Sequence, residues 1–187
     1  MEADWEIELA NDAPVIDASW AGFVDLHLEP ERAAELSETR QLPTLSEVLV
    51  RLNLHASPVW TSKCDVWMPA EFDPDELAAP PDDARYALAC YIDMLPGCDR
   101  QWPNPEAAIA DCETLCIRLR DCPIRSCRVD LVIRHAFLAP DWRDLGITAY
   151  LTACGPSQHS AAAQLAFALA AFADSVCLAI YPAATNS

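Results

Sequence analysis

At 187 residues the chain is long enough for one sizeable domain or two small ones sharing an interface, and too short for an enzyme with separate cofactor and substrate lobes. Its 44 Leu, Ile, Val and Phe residues exclude a disordered chain, and its four dispersed glycines exclude collagen-like, phosphate-loop and dinucleotide-binding designs. A net charge of −17 sets it against nucleic acid and anionic membranes and toward cationic partners.

Taken in chain order, WEIEL and GFVDLHL (22–28) read as strands. LPTLSEVLVRLNL (42–54) carries a helical stripe through Leu45, Val48, Leu49 and Leu52, and PVWTSKCDVWM (58–68) reads as a strand with Trp60, Cys64, Val66 and Met68 on one face. Residues 69–84, with six acids and four prolines, read as a linker or large loop. RYALACYIDML (85–95) alternates Tyr86, Leu88, Cys90, Ile92 and Met94 on a buried side. Asn104 suits a helix N-cap and Pro105 the first helical position; Ile109, Cys112, Leu115, Cys116 and Leu119 then form an apolar stripe.

Residues 124–138 alternate again, with Val129, Leu131, Ile133 and His135 on the apolar side and Arg128, Asp130 and Arg134 opposite. A turn, APDWRDLG, leads to a strand at 145–154 with Ile147, Ala149 and Leu151 inside and Thr148 and Tyr150 outside. Gly155-Pro156-Ser157 starts a helix to about Asp174 on Leu165, Leu169 and Phe172, and SVCLAIY (175–181) reads as a final strand.

These elements predict an α+β fold: an antiparallel sheet with helices on one face. The C-terminal half, 85–187, takes the ferredoxin-like βαββαβ order. Residues 1–68 form an acidic strand-helix-strand unit that extends or covers that sheet, and 69–84 form the acidic, proline-rich linker or loop. Read as self-sufficient, 85–187 would fold alone on Leu88, Ile92, Ile109, Leu115, Leu119, Val129, Leu131, Ile133, Ile147, Leu151, Leu165, Leu169 and Phe172.

The charge is uneven. Residues 1–84 hold nineteen acids against Arg32, Arg40, Arg51 and Lys63, whereas 85–187 are close to neutral. MEADWEIELA has neither the basic start nor the apolar run of a secretory signal, which predicts a cytoplasmic protein. Polar residues interrupt the apolar stretch Ala161–Ala184, so it reads as a buried helix and not as a membrane span. In that compartment the nine cysteines are thiols. The set Cys112, Cys116, Cys122 and Cys127 lacks a CxxC pair and a histidine at ligand spacing, so neither metal nor cofactor is expected.

No nucleophile motif appears, and no catalytic residue is assigned. Lys63, the only lysine, neighbours Cys64, but adjacent strand residues point to opposite faces. The polar cluster the sheet pattern gathers is Tyr91, Asp93, Arg128, Asp130 and Arg134, pointing away from the helices. Arginines beside carboxylates there suit either a ligand site or a set of cross-strand ion pairs.

Two functional readings follow. The first is a non-enzymatic protein-binding factor of inhibitor, immunity or chaperone kind, whose acidic N-terminal half engages a basic protein and which binds neither nucleic acid nor membrane. The second is a small enzyme or ligand-binding domain built on the polar open face. An exposed sheet edge or the open face would also serve a homodimer.

Overall fold

A computed structural model describes residues 1–18, 22–97, 101–139 and 142–179. The elements are β1 (Glu2–Glu8), β2 (Ile16–Asp17), a 3-10 turn (Pro30–Glu35), α1 (Ser37–Gln41), α2 (Pro43–Leu52), β3 (Val59–Trp67), β4 (Tyr86–Pro96), α3 (Pro105–Asp121), β5 (Cys127–Ala139), β6 (Trp142–Gly155) and α4 (Gln158–Ala179). The fold is α+β, with one six-stranded sheet in the order β1-β5-β6-β4-β3 and β2 continuing beside β5 past the end of β1.

The sheet is mixed, which corrects the expectation of a purely antiparallel one. The pairs β3–β4, β4–β6 and β5–β6 are antiparallel, but β1 and β2 run parallel to β5. Strand periodicity carries no information on direction, so the sequence could not distinguish the two. The first 68 residues extend the sheet at both edges, β1 and β2 beside β5 and β3 beside β4.

Three further expectations change. Residues 22–28 form turns and irregular chain instead of a strand. The expected eight-residue turn before β6 is largely strand, because β5 runs to Ala139 and β6 starts at Trp142. The final strand does not form at 175–178, which are the last turn of α4; Ile180 and Tyr181 lie outside the described residues. An apolar run as short as SVCLAIY fits a helix end as well as a strand, and Phe172, Ala173 and Val176 continue the buried stripe of α4 without a break. The place beside β4 that a final strand would take is filled by β3.

Local chemistry sets the helix ends. Asn104 accepts from the Ala107 amide (3.0 Å), and Pro105 starts α3 where a missing N–H costs nothing. Ser157 accepts from the Ser160 amide (3.1 Å) at the start of α4. The buried sides of α2, α3 and α4 all join one hydrophobic cluster with the same face of the sheet, through Leu45, Leu49 and Leu52, Leu115 and Leu119, and Leu165, Leu169 and Phe172. Leu88 and Ile109 pack on it half-buried; the other expected core residues are buried in it. By length and composition α4 could cross a membrane; here its buried side packs on β6 and β4.

Polar links fasten α2 to its neighbours. Asn53 at the end of α2 donates to Leu49 O and Thr61 Oγ1 and accepts from the Thr61 amide (2.9 Å), tying the helix to β3. Arg51 reaches Asp174 of α4 at 2.6 Å.

Because Leu49 belongs to the same cluster as β5 and β6, Leu49→Ala is expected to destabilise the whole chain in a single transition by about 2–5 kcal/mol, read from urea unfolding. Residues 85–187 expressed alone would bare both edges of the three-stranded remnant and the helix face that α2 covers. The fragment is expected to lose cooperative unfolding; a sharp two-state melt of it would refute the single-core reading.

Candidate functional site

The face opposite the helices carries the polar side chains, and the pairing registers line them up in rows. Asp65, Tyr91, Tyr150, Asp130 and Asp4 are successive partners across β3, β4, β6, β5 and β1. On one side of that row lie Trp67, Ala89, Thr152, Arg128 and Glu2, and on the other Asp93, Thr148, Val132 and Glu6. Tyr91 and Tyr150 stack at 6.0 Å between ring centroids, and Trp67 lies 6.2 Å from Tyr91, so three aromatics floor the middle of the face.

A wall closes each end of the face along the strands. At one end Ile16, Ala18, Leu95 and Ala136 are buried together with Trp60 packed against them, and Ser62 Oγ donates to Asp17 O across the sheet. Gly146 permits this approach, since a Cβ there would come within 2.6 Å of the Ile16 Cδ1 atom. At the other end the 69–84 segment lies on the sheet, burying Leu77 and Ala79 against Ala87 and Cys154.

Of the sequence-derived site residues, all five lie on this face, in two groups. Arg128 and Asp130 form an ion pair (2.7 Å) and line a 260 Å³ notch with Asp4, Glu6 and Glu76. Arg134 is held elsewhere: it donates to Glu8 Oε2 (2.7 and 2.9 Å), to the Tyr150 hydroxyl (2.9 Å) and to Thr148 Oγ1 (3.3 Å), and its guanidinium lies 5.5 Å from the Tyr150 ring centroid. Thr148 in turn donates to Asp93 (2.6 Å). Tyr91 belongs to the aromatic floor and does not line the notch.

Burial raises the Asp93 carboxyl above its ordinary range, opposed by the Thr148 hydrogen bond and by Arg134 and Lys63. Burial likewise raises Asp130 against the pull of Arg128, and pushes the Tyr91 phenol up to about 12 with help from Asp93 and Asp65. Tyr91 is therefore a neutral ring with a hydroxyl donor at any physiological pH.

Sequence reasoning missed Asp65, Trp67, Glu76 and the acids of β1. The alternation of Glu2, Asp4, Glu6 and Glu8 in EADWEIE is the signal that could have found the acids of β1. Asp65 and Trp67 alternate with Cys64 and Val66, a signal that could have placed them on the open face; a β-bulge between Thr61 and Cys64 adds one residue to β3 and flips the parity before them. That bulge also corrects Trp60, which sits on the open face and packs on Leu95, not on the core face of Cys64 and Val66.

Among the described residues no three His, Cys, Asp or Glu side chains gather as metal ligands. Cys112, Cys116 and Cys127 are buried, and burial pushes the latter two thiols up to about 11. His135, half-buried, lines a separate 420 Å³ cleft with Trp102, Asn104 and Asp144 at the start of α3. No protein family, curated protein or solved structure matches the chain.

A carboxyl whose pKa rises on folding stabilises the fold fully below its unfolded value, about 3.9, and loses that contribution as pH climbs through the folded value. Asp93→Asn should therefore unfold at higher urea than the parent at pH 7, with the gap closing toward pH 4. A gap that is constant with pH would refute an upward shift at Asp93.

Proposed function

We propose that the protein is a non-enzymatic cytoplasmic binding factor that holds a basic protein segment on the open face of its sheet, as an inhibitor, immunity or chaperone-like protein does. The observation that carries this reading is the row Asp65, Tyr91, Tyr150, Asp130 and Asp4, in which carboxylates flank an aromatic floor. Aromatic faces and carboxylates both attract ammonium and guanidinium groups, the first through the ring quadrupole and the second through charge.

The arginines favour a cation over an anion as ligand. Arg134 has 11% of its side chain exposed and is engaged by Glu8, Thr148 and Tyr150, while Arg128 is paired with Asp130. An anionic ligand would have to displace those partners. The acids of β1 and Glu76 of the 69–84 segment add negative potential at the same end, so the acidic half and the polar sheet face make one surface. We also read β4-α3-β5-β6-α4, with β3 in the place of the last strand, as a rearranged ferredoxin-like unit; such a frame carries no function by itself.

Binding of fluorescent poly-L-lysine tests the reading. Association is expected to slow steeply between low and moderate salt, and Asp65→Asn with Asp130→Asn to weaken binding by about tenfold. Binding that ignores both salt and these substitutions would remove it.

A further inference from the structure

We infer that the basic segment is held as a single α-helix lying across the strands, in the trench between the two walls of the open face. This rests on the reading of that face as a site for a basic partner and adds the conformation and orientation of the segment.

The first argument is hydrogen bonding. Backbone groups of a sheet point along its plane to neighbouring strands, so the open face offers side chains and no ladder to a segment laid on top of it. An extended segment buried there would leave its own amides and carbonyls without partners, at a cost of roughly 1–3 kcal/mol for each one desolvated. A helix satisfies them internally. The opposite face of this sheet is already covered in that way, by α2, α3 and α4.

The second argument is size. From Ala87, under Leu77, to Leu95, in contact with the Ile16 wall, is eight residues of β4, about 26 Å at strand rise. The β4 positions between the walls on this face are Ala89, Tyr91 and Asp93, which span about 13 Å at strand rise, room for one helix of about 10–12 Å diameter and no second one. Across the strands the trench is open at both ends. Asp65 is exposed on β3, and Asp4 keeps 62% of its side chain exposed on β1. The five strands span about 19 Å, the length of about 13 helical residues.

The third argument is the placement of charge. Asp65 stands exposed at one end of the trench, with Lys63 of the same strand acting on Asp93 beside it. At the other, Asp4, Glu6, Asp130, Glu2 and Glu76 outnumber Arg128 and Arg120, even with Asp130 and Asp4 facing those arginines. The two ends are about three strand spacings apart, roughly 14 Å, or two and a half helical turns. Arginine or lysine at both ends of one helical stripe, with an apolar residue between them over Tyr91 and Tyr150, matches this layout. The walls supply half-buried aromatic edges, Trp60 on one side and Phe72 on the other.

The test uses the full chain and two capped synthetic peptides of about 14 residues and identical composition. In one, arginines at positions i and i+11 and leucines at i+4 and i+7 share one helical stripe; in the other the same residues are scattered around the helix. The striped peptide is expected to bind about tenfold more tightly, to gain helical circular dichroism when bound, and to lose about tenfold in affinity on Asp65→Asn, an exposed position whose change leaves the fold intact. Glu113→Gln on the outer surface of α3 should leave its affinity unchanged. Equal affinity for the two peptides, or a bound peptide with strand-like dichroism, overturns the helix while leaving the basic-partner reading in place. No binding of either peptide, together with no binding of poly-L-lysine, overturns both.

Discussion

The rest of the structure hangs on the antiparallel pairing of β5 with β6, a hairpin of long strands at the centre of the sheet. Once Val129 faces Leu151 and Ile133 faces Ile147 on the side where the helices pack, the intervening residues are committed to the other side. Asp130 must then stand opposite Tyr150, and Arg128 opposite Thr152. Adding β1 in parallel register brings Asp4 beside Asp130 and Glu8 beside Arg134. The polar face is thus a consequence of packing the apolar one, and its charges cannot be rearranged without moving the core.

That coupling explains why Arg134 is so heavily bonded. A guanidinium largely removed from water must have its donors met, and the neighbouring strands supply Glu8, Tyr150 and Thr148. The same bonds orient Tyr150 under its cation and pass through Thr148 to Asp93, so a chain of polar contacts stiffens the centre of the sheet. Away from this chain the carboxylates at the rim keep their exposure. Arg134 is therefore a positioning residue for the tyrosine floor, and the rim acids are the groups that the proposed function assigns to the partner.

How much of this was legible in the sequence depends on what each residue's neighbours determine. The two-residue period of β4, β5 and β6 fixed which side chains share a face, so Tyr91, Asp93, Arg128, Asp130 and Arg134 were placed together from alternation alone. What alternation cannot carry is register, and register separates Arg134 with Asp93 from Arg128 with Asp130. It also fails across a bulge, which is why alternation puts Trp60 on the same face as Cys64 and Val66 when it lies on the other. The 69–84 segment reads as a linker or large loop because acids and prolines dominate it; it lies as a loop on the sheet, fastened by Leu77 and Ala79 with Phe72 and Ala84 packed beside them. Strand direction left no trace, since β1 alternates in the same way whether parallel or antiparallel to β5.

The homodimer expected from an open sheet also looks different once the face is drawn. A second copy placed face to face would bring Asp65, Asp130, Asp4 and Glu76 against the same groups, and like charges juxtaposed across an interface cost several kcal/mol. Any self-association has to use a surface without that field. The outer side of the helical layer, where Phe167 of α4 and Ile117 of α3 are exposed, is the apolar surface remote from it. On the function proposed above, the acidic row therefore acts in two directions: it favours the cationic partner, and it opposes a second copy of the chain on the same face, so that the proposed site would stay available in a concentrated solution of the protein itself.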